Sequence, residues 1–129
     1  MSSLEREIWD SALVVTLGRE DRRNAIDDDM RNALLALVRA EPDPASRVLV
    51  LRARGPVFSA GNDLRMLEAR KAAGGAPELG RLQLESLQLL QAFATRPVPT
   101  LAIVAHTEAA PASKRRCRCM HEEVLDGYL

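Results

Sequence analysis

The stretch FSAGNDL, residues 58–64, has the residue types of a tight turn that leads into a helix. Gly61 can adopt backbone conformations that are closed to other residues, and Ser59 and Ala60 keep side-chain bulk low, so a ligand could approach the main chain. Asn62 follows at a helix start, where free backbone N–H groups and the helix dipole favour negative charge. Such an N–H could donate to the oxygen of a thioester or similar carbonyl that becomes an enolate.

The same stretch also has an interpretation that needs no ligand. Asp63 is a favourable N-cap residue, and with Leu64 it could simply start a helix after a strand and a turn. The residues alone favour this structural junction over a ligand site. Both interpretations require a strand before the turn and a helix after it.

Strand and helix patterns alternate around this stretch. Residues 8–9 and 12–17 flank a polar pair and predict a β-hairpin or two short paired strands. Residues 48–51 form a continuous apolar run, which is typical of a strand buried on both faces, and residues 100–105 predict another buried strand. Strand, helix and strand in this order favour the α/β fold class.

Apolar spacing and helix-ending residues predict three helices. The first begins near Asp27, a favourable N-cap, and carries an apolar stripe until the EPDP segment at 41–44 stops it. The second covers residues 63 to about 70, and the third covers about 81–94, where leucines share one side. Between them, residues 72–80, AAGGAPELG, are expected to be flexible.

Composition and charge exclude several classes of protein. The 129 residues include 18 basic and 18 acidic side chains, so the formal net charge is zero and gives no electrostatic case for binding nucleic acid or an anionic membrane surface. The apolar runs are too short to span a bilayer, and the N-terminus has no secretory signal. We therefore expect one soluble domain that resides in the cytoplasm.

Cysteines and histidines near the C-terminus give a weak metal signal. Cys117, Cys119, His121 and His106 include thiolate and imidazole donors. Their spacing fits no common zinc pattern, and the basic segment KRRCR surrounds the cysteines. We expect free thiols and no metal, and no nucleic-acid binding by KRRCR because interleaved aromatic residues are missing.

Three segments, in order along the chain, carry a family resemblance. VTLGREDRRNAID, RVLVLRARGPVFSAGNDLRML and RPVPTLAIVAH resemble the N-terminal half of the enoyl-CoA hydratase/isomerase (crotonase) family, over about residues 8–106. The resemblance implies the N-terminal portion of the spiral ββα (ClpP/crotonase-like) fold, with residues 1–105 as part of an acyl-CoA-binding domain. The form GNDL at 61–64 is similar to the enoyl-CoA Δ-isomerase branch, and isomerase and hydratase both stay open.

The resemblance also implies roles for individual residues. Asn24 and Ala25 match the family's Asn-Ala element, on the loop near bound coenzyme A. Ala60 matches a position whose backbone meets the acyl-CoA near its adenine end. Asn62 matches the residue whose backbone N–H is the first oxyanion donor, and Asp63 matches an acidic residue that caps the following helix. The residues expected at the acyl-CoA are Asn24, Ala25, Ser59, Ala60, Gly61, Asn62, Asp63 and Leu64.

Coenzyme A enters this interpretation as part of the acyl-CoA substrate, and no covalently bound cofactor is expected. Arg22 and Arg23 could face its phosphates, although two solvated loop charges are the simpler explanation for either one alone. Family members commonly form trimers, but a homo-oligomer of this chain is doubtful.

The chain departs from the family pattern after His106. Thr107 stands where the first glycine of a glycine-rich segment is expected. Pro, Ala and Ser at 111–113 replace later glycines of the segment whose backbone gives the second oxyanion donor, and proline has no N–H to donate. No carboxylate matches the catalytic glutamates. We therefore expect residues 106–129 to be an aberrant tail, frameshifted or disordered, and the chain to be truncated and inactive alone.

Two alternatives to an enzyme stay open. The chain could be a non-catalytic module that binds acyl-CoA or another protein. It could also be a fragment without function, whose leucine-rich helix at 81–94 exposes an apolar face and promotes association.

Overall fold

Five strands and three helices occur in the part of the chain that the computed structural model describes, which is residues 3–104 and the backbone of residues 117–119. The elements in chain order are β1 (Leu4–Trp9), β2 (Ala12–Leu17), α1 (Asp28–Arg39), β3 (Val48–Ala53), α2 (Leu64–Gly74), α3 (Ala76–Thr95), β4 (Thr100–Ile103) and β5 (Cys117–Cys119). A short 3-10 turn, Glu20–Arg22, precedes α1. None of the described helices is long and apolar enough to cross a membrane.

The strands form one mixed sheet in the order β1-β2-β3-β4-β5. β1 and β2 pair as an antiparallel hairpin, as predicted, whereas β2, β3 and β4 are parallel to one another. The β2/β3 register runs from Ala12 opposite Val48 to Leu17 opposite Ala53. The carboxyl ends of β2 and β3 therefore lie side by side, at the edge where parallel sheets commonly bind ligands.

Helices α1 and α3 cover one face of the sheet. Side chains alternate between the two faces of a strand, so every second residue of β2 and β3 points towards these helices. Val14 and Val50 point to the opposite face and are also buried, which confirms the prediction that β3 is buried on both faces. The main core contains Val15, Leu17, Met30, Leu34, Leu37, Val38, Leu49, Leu51 and Leu89.

The junction between α2 and α3 corrects the predicted flexible segment at 72–80. Helix α2 continues to Gly74, α3 begins at Ala76, and only Gly75 lies between them. Gly75 has a φ of +63°, a left-handed conformation that glycine adopts without strain. Pro77 lies in the first turn of α3, where the missing N–H would have no intrahelical partner anyway. Glycine and proline thus shape a sharp turn between two helices.

The C-terminal part of the sheet also differs from the expectation. β4 ends at Ile103 instead of 105, and Ala102 is its one buried residue, so the prediction of a fully buried strand is wrong. The backbone of β5 pairs antiparallel with β4, which places a three-residue strand inside the segment expected to be an aberrant tail. Most other calls on that segment, which concern His106, Thr107, residues 111–113 and His121, lie outside the described residues.

Candidate functional site

Two loops meet beyond the carboxyl ends of β2 and β3. Residues 18–27 connect β2 to α1, and residues 54–63 connect β3 to α2. The Ile26 N–H donates to the Gly61 oxygen at 2.8 Å, and the Ile26 oxygen accepts from the Asp63 N–H at 2.9 Å. These two bonds form a parallel bridge that fixes FSAGNDL against the first loop.

The Asn62 N–H points out of this junction. It belongs to the same peptide group as the Gly61 carbonyl, and a trans peptide directs its N–H and C=O to opposite sides. Because the Gly61 oxygen accepts from Ile26, the Asn62 N–H is directed away from Ile26. It has no hydrogen-bond acceptor among the described residues, and Asn62 is exposed. This N–H is therefore free to bind a ligand.

A cleft of about 520 Å³ lies beside Asn62. Both loops and the first turns of α2 form its walls, and Ala25, Ala60 and Leu64 contribute apolar surface. Its volume falls in the range of pockets that hold small molecules, about 300–1,000 Å³. The free N–H and a space large enough for a ligand thus occur together.

Charged side chains also line this cleft. Arg22, Arg23 and Arg65 are exposed along it, and the acidic residues there are Asp63 and Glu68. The Asp63 carboxylate is already bonded within the protein, as described below. The cleft therefore has a local excess of positive charge, which attracts anionic ligands.

Asn24 supports the site from behind and makes no side-chain contact with the cleft. Its side chain is fully buried, and its φ of +52° is a left-handed conformation that asparagine tolerates better than most residues. Its Oδ1 accepts from the Arg19 N–H at 2.9 Å, and its Nδ2 donates to the Arg54 and Val57 oxygens at 2.8 Å each. The Oδ1 bond closes the first loop on itself, and the two Nδ2 bonds join it to the second loop.

Ser59 has a similar supporting position. Its Oγ donates to the Asn24 oxygen at 2.8 Å and accepts from the Gly61 N–H at 3.1 Å. Gly61 has a φ of +84°, so the turn needs glycine there, as the sequence predicted. Ala60 is held by its own N–H, which donates to the Arg23 oxygen at 3.0 Å. Polar groups of the second loop thus fix it against the first loop.

Asp63 is the N-cap of α2, which confirms its predicted role as a structural cap. Its Oδ1 accepts from the Arg65 N–H at 2.9 Å and from the Met66 N–H at 3.2 Å, and its Oδ2 accepts from Arg19 Nη2 at 3.2 Å. The Met66 N–H, with help from Arg19 and the Arg65 N–H, holds the pKa of Asp63 below its ordinary value although burial opposes this. The Asp63 carboxylate is therefore ionised at neutral pH, and both of its oxygens accept hydrogen bonds from the protein.

Sequence reasoning missed Arg19, which lies in the charged loop GREDRRN. Its Nη1 donates to the Ala25 oxygen at 2.5 Å and lies 3.1 Å from Asp27 Oδ2. Asp27 caps α1 by accepting from the Met30 N–H at 2.8 Å, as predicted. Since Arg19 also contacts Asp63, one guanidinium joins the caps of two helices. Only the presence of two N-cap carboxylates near an arginine-rich loop could have suggested this.

A second missed cluster ties the three helices together. Arg31 of α1 is 2% exposed and contacts Asp28 and, at 2.8 Å, Glu85 of α3. Arg70 of α2 reaches Asp28 at 2.6 Å and Glu85 at 2.8 Å. Burial opposes ionisation of Asp28, but hydrogen bonds from Arg70 and Arg31 hold its pKa below the ordinary value. This network fixes α2, and with it the start of α2 at the cleft.

Metal ligands do not cluster in the described part of the chain. No group of three or more His, Cys, Asp or Glu among the described side chains could hold a metal ion. The side chains of Cys117 and Cys119, with His106 and His121, lie outside that part, so the expectation of free thiols stays a prediction.

Residues 7–110 match the sequence family described as enoyl-CoA hydratase/isomerase. The chain belongs to the enoyl-CoA hydratase/isomerase family. This confirms the resemblance seen in the three segments. The match does not select the isomerase branch, which stays a prediction.

Relatives and solved structures agree with this family. A Thermus thermophilus protein described as an enoyl-CoA hydratase is 39% identical over 120 residues, which are 89% of this chain and 47% of the relative. The hydroxycinnamoyl-CoA hydratase-lyase of Pseudomonas fluorescens is 32% identical over 105 residues, 76% of this chain and 36% of that protein. The chain therefore spans less than half of the length of these relatives.

The crotonase-type fold is supported by structure as well. Pseudomonas aeruginosa AtuE superposes with a TM-score of 0.75 at 31% identity, over 81% of this chain and 40% of AtuE. A Legionella pneumophila structure described as an enoyl-CoA hydratase/isomerase (crotonase) gives 0.70 at 30% identity, over 81% of this chain and 40% of that chain. The described residues thus form a partial crotonase fold.

Proposed function

We propose that the chain binds an acyl-CoA thioester whose carbonyl oxygen accepts a hydrogen bond from the Asn62 N–H. The free N–H beside the cleft is the observation that carries this proposal. A donor that is held in place before the ligand arrives stabilises negative charge on the oxygen without reorganisation. The family and the names of the relatives support a CoA thioester as the ligand class.

The lining of the cleft suggests how the ligand is oriented. Ala25, Ala60 and Leu64 would contact it, and Arg22 and Arg23 would face the phosphates of coenzyme A. The side chains of Asn24, Ser59 and Asp63 are hydrogen-bonded within the protein, so they support the loops behind the ligand. In this proposal, coenzyme A is part of the acyl-CoA substrate.

Turnover by this chain alone is proposed to be low. In a complete site, a carboxylate base moves a proton so that the double bond of an enoyl-CoA is isomerised or hydrated. The chain spans less than half of the length of its relatives, and we propose that it holds the first oxyanion donor of such a site. We propose a cytoplasmic, fatty-enoyl-CoA-binding protein without nucleic-acid or membrane partners. Rapid conversion of a 2- or 3-enoyl-CoA by the purified chain would contradict the low turnover.

Calorimetric titration with a short 2-enoyl-CoA tests the role of the Asn62 N–H. Asn62→Pro removes this N–H, whereas Asn62→Ala keeps it and removes only the exposed side chain. We expect saturable binding by the wild type and by Asn62→Ala, and at least about tenfold weaker binding by Asn62→Pro, which corresponds to about 1.4 kcal/mol. Absence of saturable heat in the wild type, or equal affinities for the two variants, would contradict the proposal.

A further inference from the structure

Arg19 starts a series of hydrogen bonds that ends at the Asn62 N–H. Arg19 Nη1 donates to the Ala25 oxygen at 2.5 Å. The Ala25 carbonyl and the Ile26 N–H belong to one peptide group, and this N–H donates to the Gly61 oxygen at 2.8 Å. The Gly61 carbonyl and the Asn62 N–H belong to the next peptide group. Two peptide groups in series therefore connect a guanidinium cation to the free donor.

Hydrogen bonds arranged in series strengthen one another. A charged donor withdraws electron density from the Ala25 oxygen, so the Ile26 N–H becomes a better donor, and the same effect passes through the Gly61 carbonyl to Asn62. The Arg19 side chain is only 19% exposed, which limits competition from water for its bond to Ala25. The Asn62 N–H beside the cleft is thus both oriented and polarised from behind.

The position of Arg19 is itself determined by several contacts. Its guanidinium lies 3.1 Å from Asp27 Oδ2 and 3.2 Å from Asp63 Oδ2, the N-cap carboxylates of α1 and α2. Its backbone N–H donates to Asn24 Oδ1 at 2.9 Å. These contacts hold the guanidinium against Ala25, while Arg19 is absent from the lining of the cleft.

We propose that Arg19 is a positioning residue that orients and polarises the Asn62 N–H towards a thioester oxygen. The inference rests on the proposed function, because it needs a carbonyl bound at Asn62. Arg19 touches no substrate in this arrangement. It acts through the two intervening peptide groups. Its effect is therefore on the polarisation of the bound carbonyl, and it makes no contact with the ligand.

Infrared spectroscopy of a bound acyl-CoA with a ¹³C-labelled thioester carbonyl tests the inference. In the wild type, we expect the carbonyl stretch to move to lower frequency on binding. Arg19→Gln should reduce this shift by roughly a fifth to a half, since cooperativity contributes about 10–30% per bond across two bonds. Arg19→Lys keeps the charge and should restore most of the shift. Arg39→Gln, an equal charge change at the exposed far end of α1, should leave it unchanged.

The possible outcomes separate the inference from the proposed function. No frequency shift in the wild type contradicts the proposed function. A shift in the wild type that Arg19→Gln leaves unchanged at saturation overturns the inference alone, even where the variant is less stable, because a purely structural role predicts that result. If Arg19→Gln does not fold, NMR scalar coupling across the Ile26–Gly61 hydrogen bond in the wild type provides the second test. Absence of that coupling overturns the inference.

Discussion

The junction beyond β2 and β3 and the outer side of α3 are built in opposite ways. At the junction, polar groups bond to one another, and the fully buried side chain of Asn24 makes three hydrogen bonds. On the outer side of α3, Leu84, Leu87 and Leu90 are 62%, 52% and 41% exposed. One region is thus ordered by specific polar contacts, and the other presents apolar surface to solvent.

This difference shows which properties depend on which part of the chain. The contacts that orient the Asn62 N–H all come from residues between Arg19 and Met66, so they do not depend on the exposed leucines. The exposed leucines form a patch of the kind that promotes association between molecules. Ligand binding and self-association should therefore respond to different substitutions.

The largest effect is expected at Asn24. Asn24→Ala leaves the Arg19 N–H and the Arg54 and Val57 oxygens without their partner and keeps a non-glycine residue in a left-handed conformation. We expect a loss of about 3–5 kcal/mol in the free energy of unfolding in urea. Asn24→Gly removes the same bonds without the backbone strain, so it should cost about 1 kcal/mol less. A loss below about 1 kcal/mol for both variants would show that the junction is not held by this side chain.

An intermediate effect is expected at Asp63. Its pKa is lowered from the ordinary value of 3.8, so the carboxylate stabilises the fold above that value and this contribution is lost as the pH falls through the lower folded-state pKa. Asp63→Ala should cost about 1 kcal/mol at pH 7, and the difference from the wild type should shrink below pH 3.8.

Urea unfolding of both proteins between pH 2 and pH 7 measures this difference. Glu41→Gln, which removes an exposed carboxylate in the loop after α1, serves as the control and should change stability by less than about 0.5 kcal/mol at every pH. A difference between Asp63→Ala and the wild type that does not depend on pH would contradict the ionised cap.

The smallest effect on stability is expected on α3. Replacing Leu84 and Leu87 by Gln should change the free energy of unfolding by less than about 0.5 kcal/mol for each site, because both side chains are already exposed. Leu82→Ala in the same helix removes a side chain that is 2% exposed and should cost about 2–5 kcal/mol. Sedimentation should show less association for the double variant, and unchanged association would mean that this patch is not the cause.

Local signals in the sequence predicted much of this structure. The Asp27 and Asp63 caps, the glycine turn at Gly61 and the buried strand β3 each depend on residues close together in the chain. The turn at Gly75 was mistaken for a flexible segment because glycine and proline occur both in flexible loops and in sharp turns between helices.

The long-range ion pairs could not be predicted from the sequence. The contacts from Arg19 to Asp63 and from Arg31 to Glu85 join residues 44 and 54 positions apart, and no periodic pattern signals such pairs. The supporting role of Asn24 was also hidden, because its partners are backbone oxygens whose positions depend on the fold. The polar contacts that fix the site were therefore the part that only coordinates could reveal.

Amide hydrogen exchange at Asn62, followed by NMR with and without a short enoyl-CoA, examines the free donor itself. In the unliganded protein, we expect this amide to exchange rapidly, because it has no acceptor among the described residues and Asn62 is exposed. Bound thioester should slow the exchange and move the amide proton signal downfield. An amide that is already protected without ligand, or one that the thioester leaves unchanged, would contradict an oxyanion donor at this position.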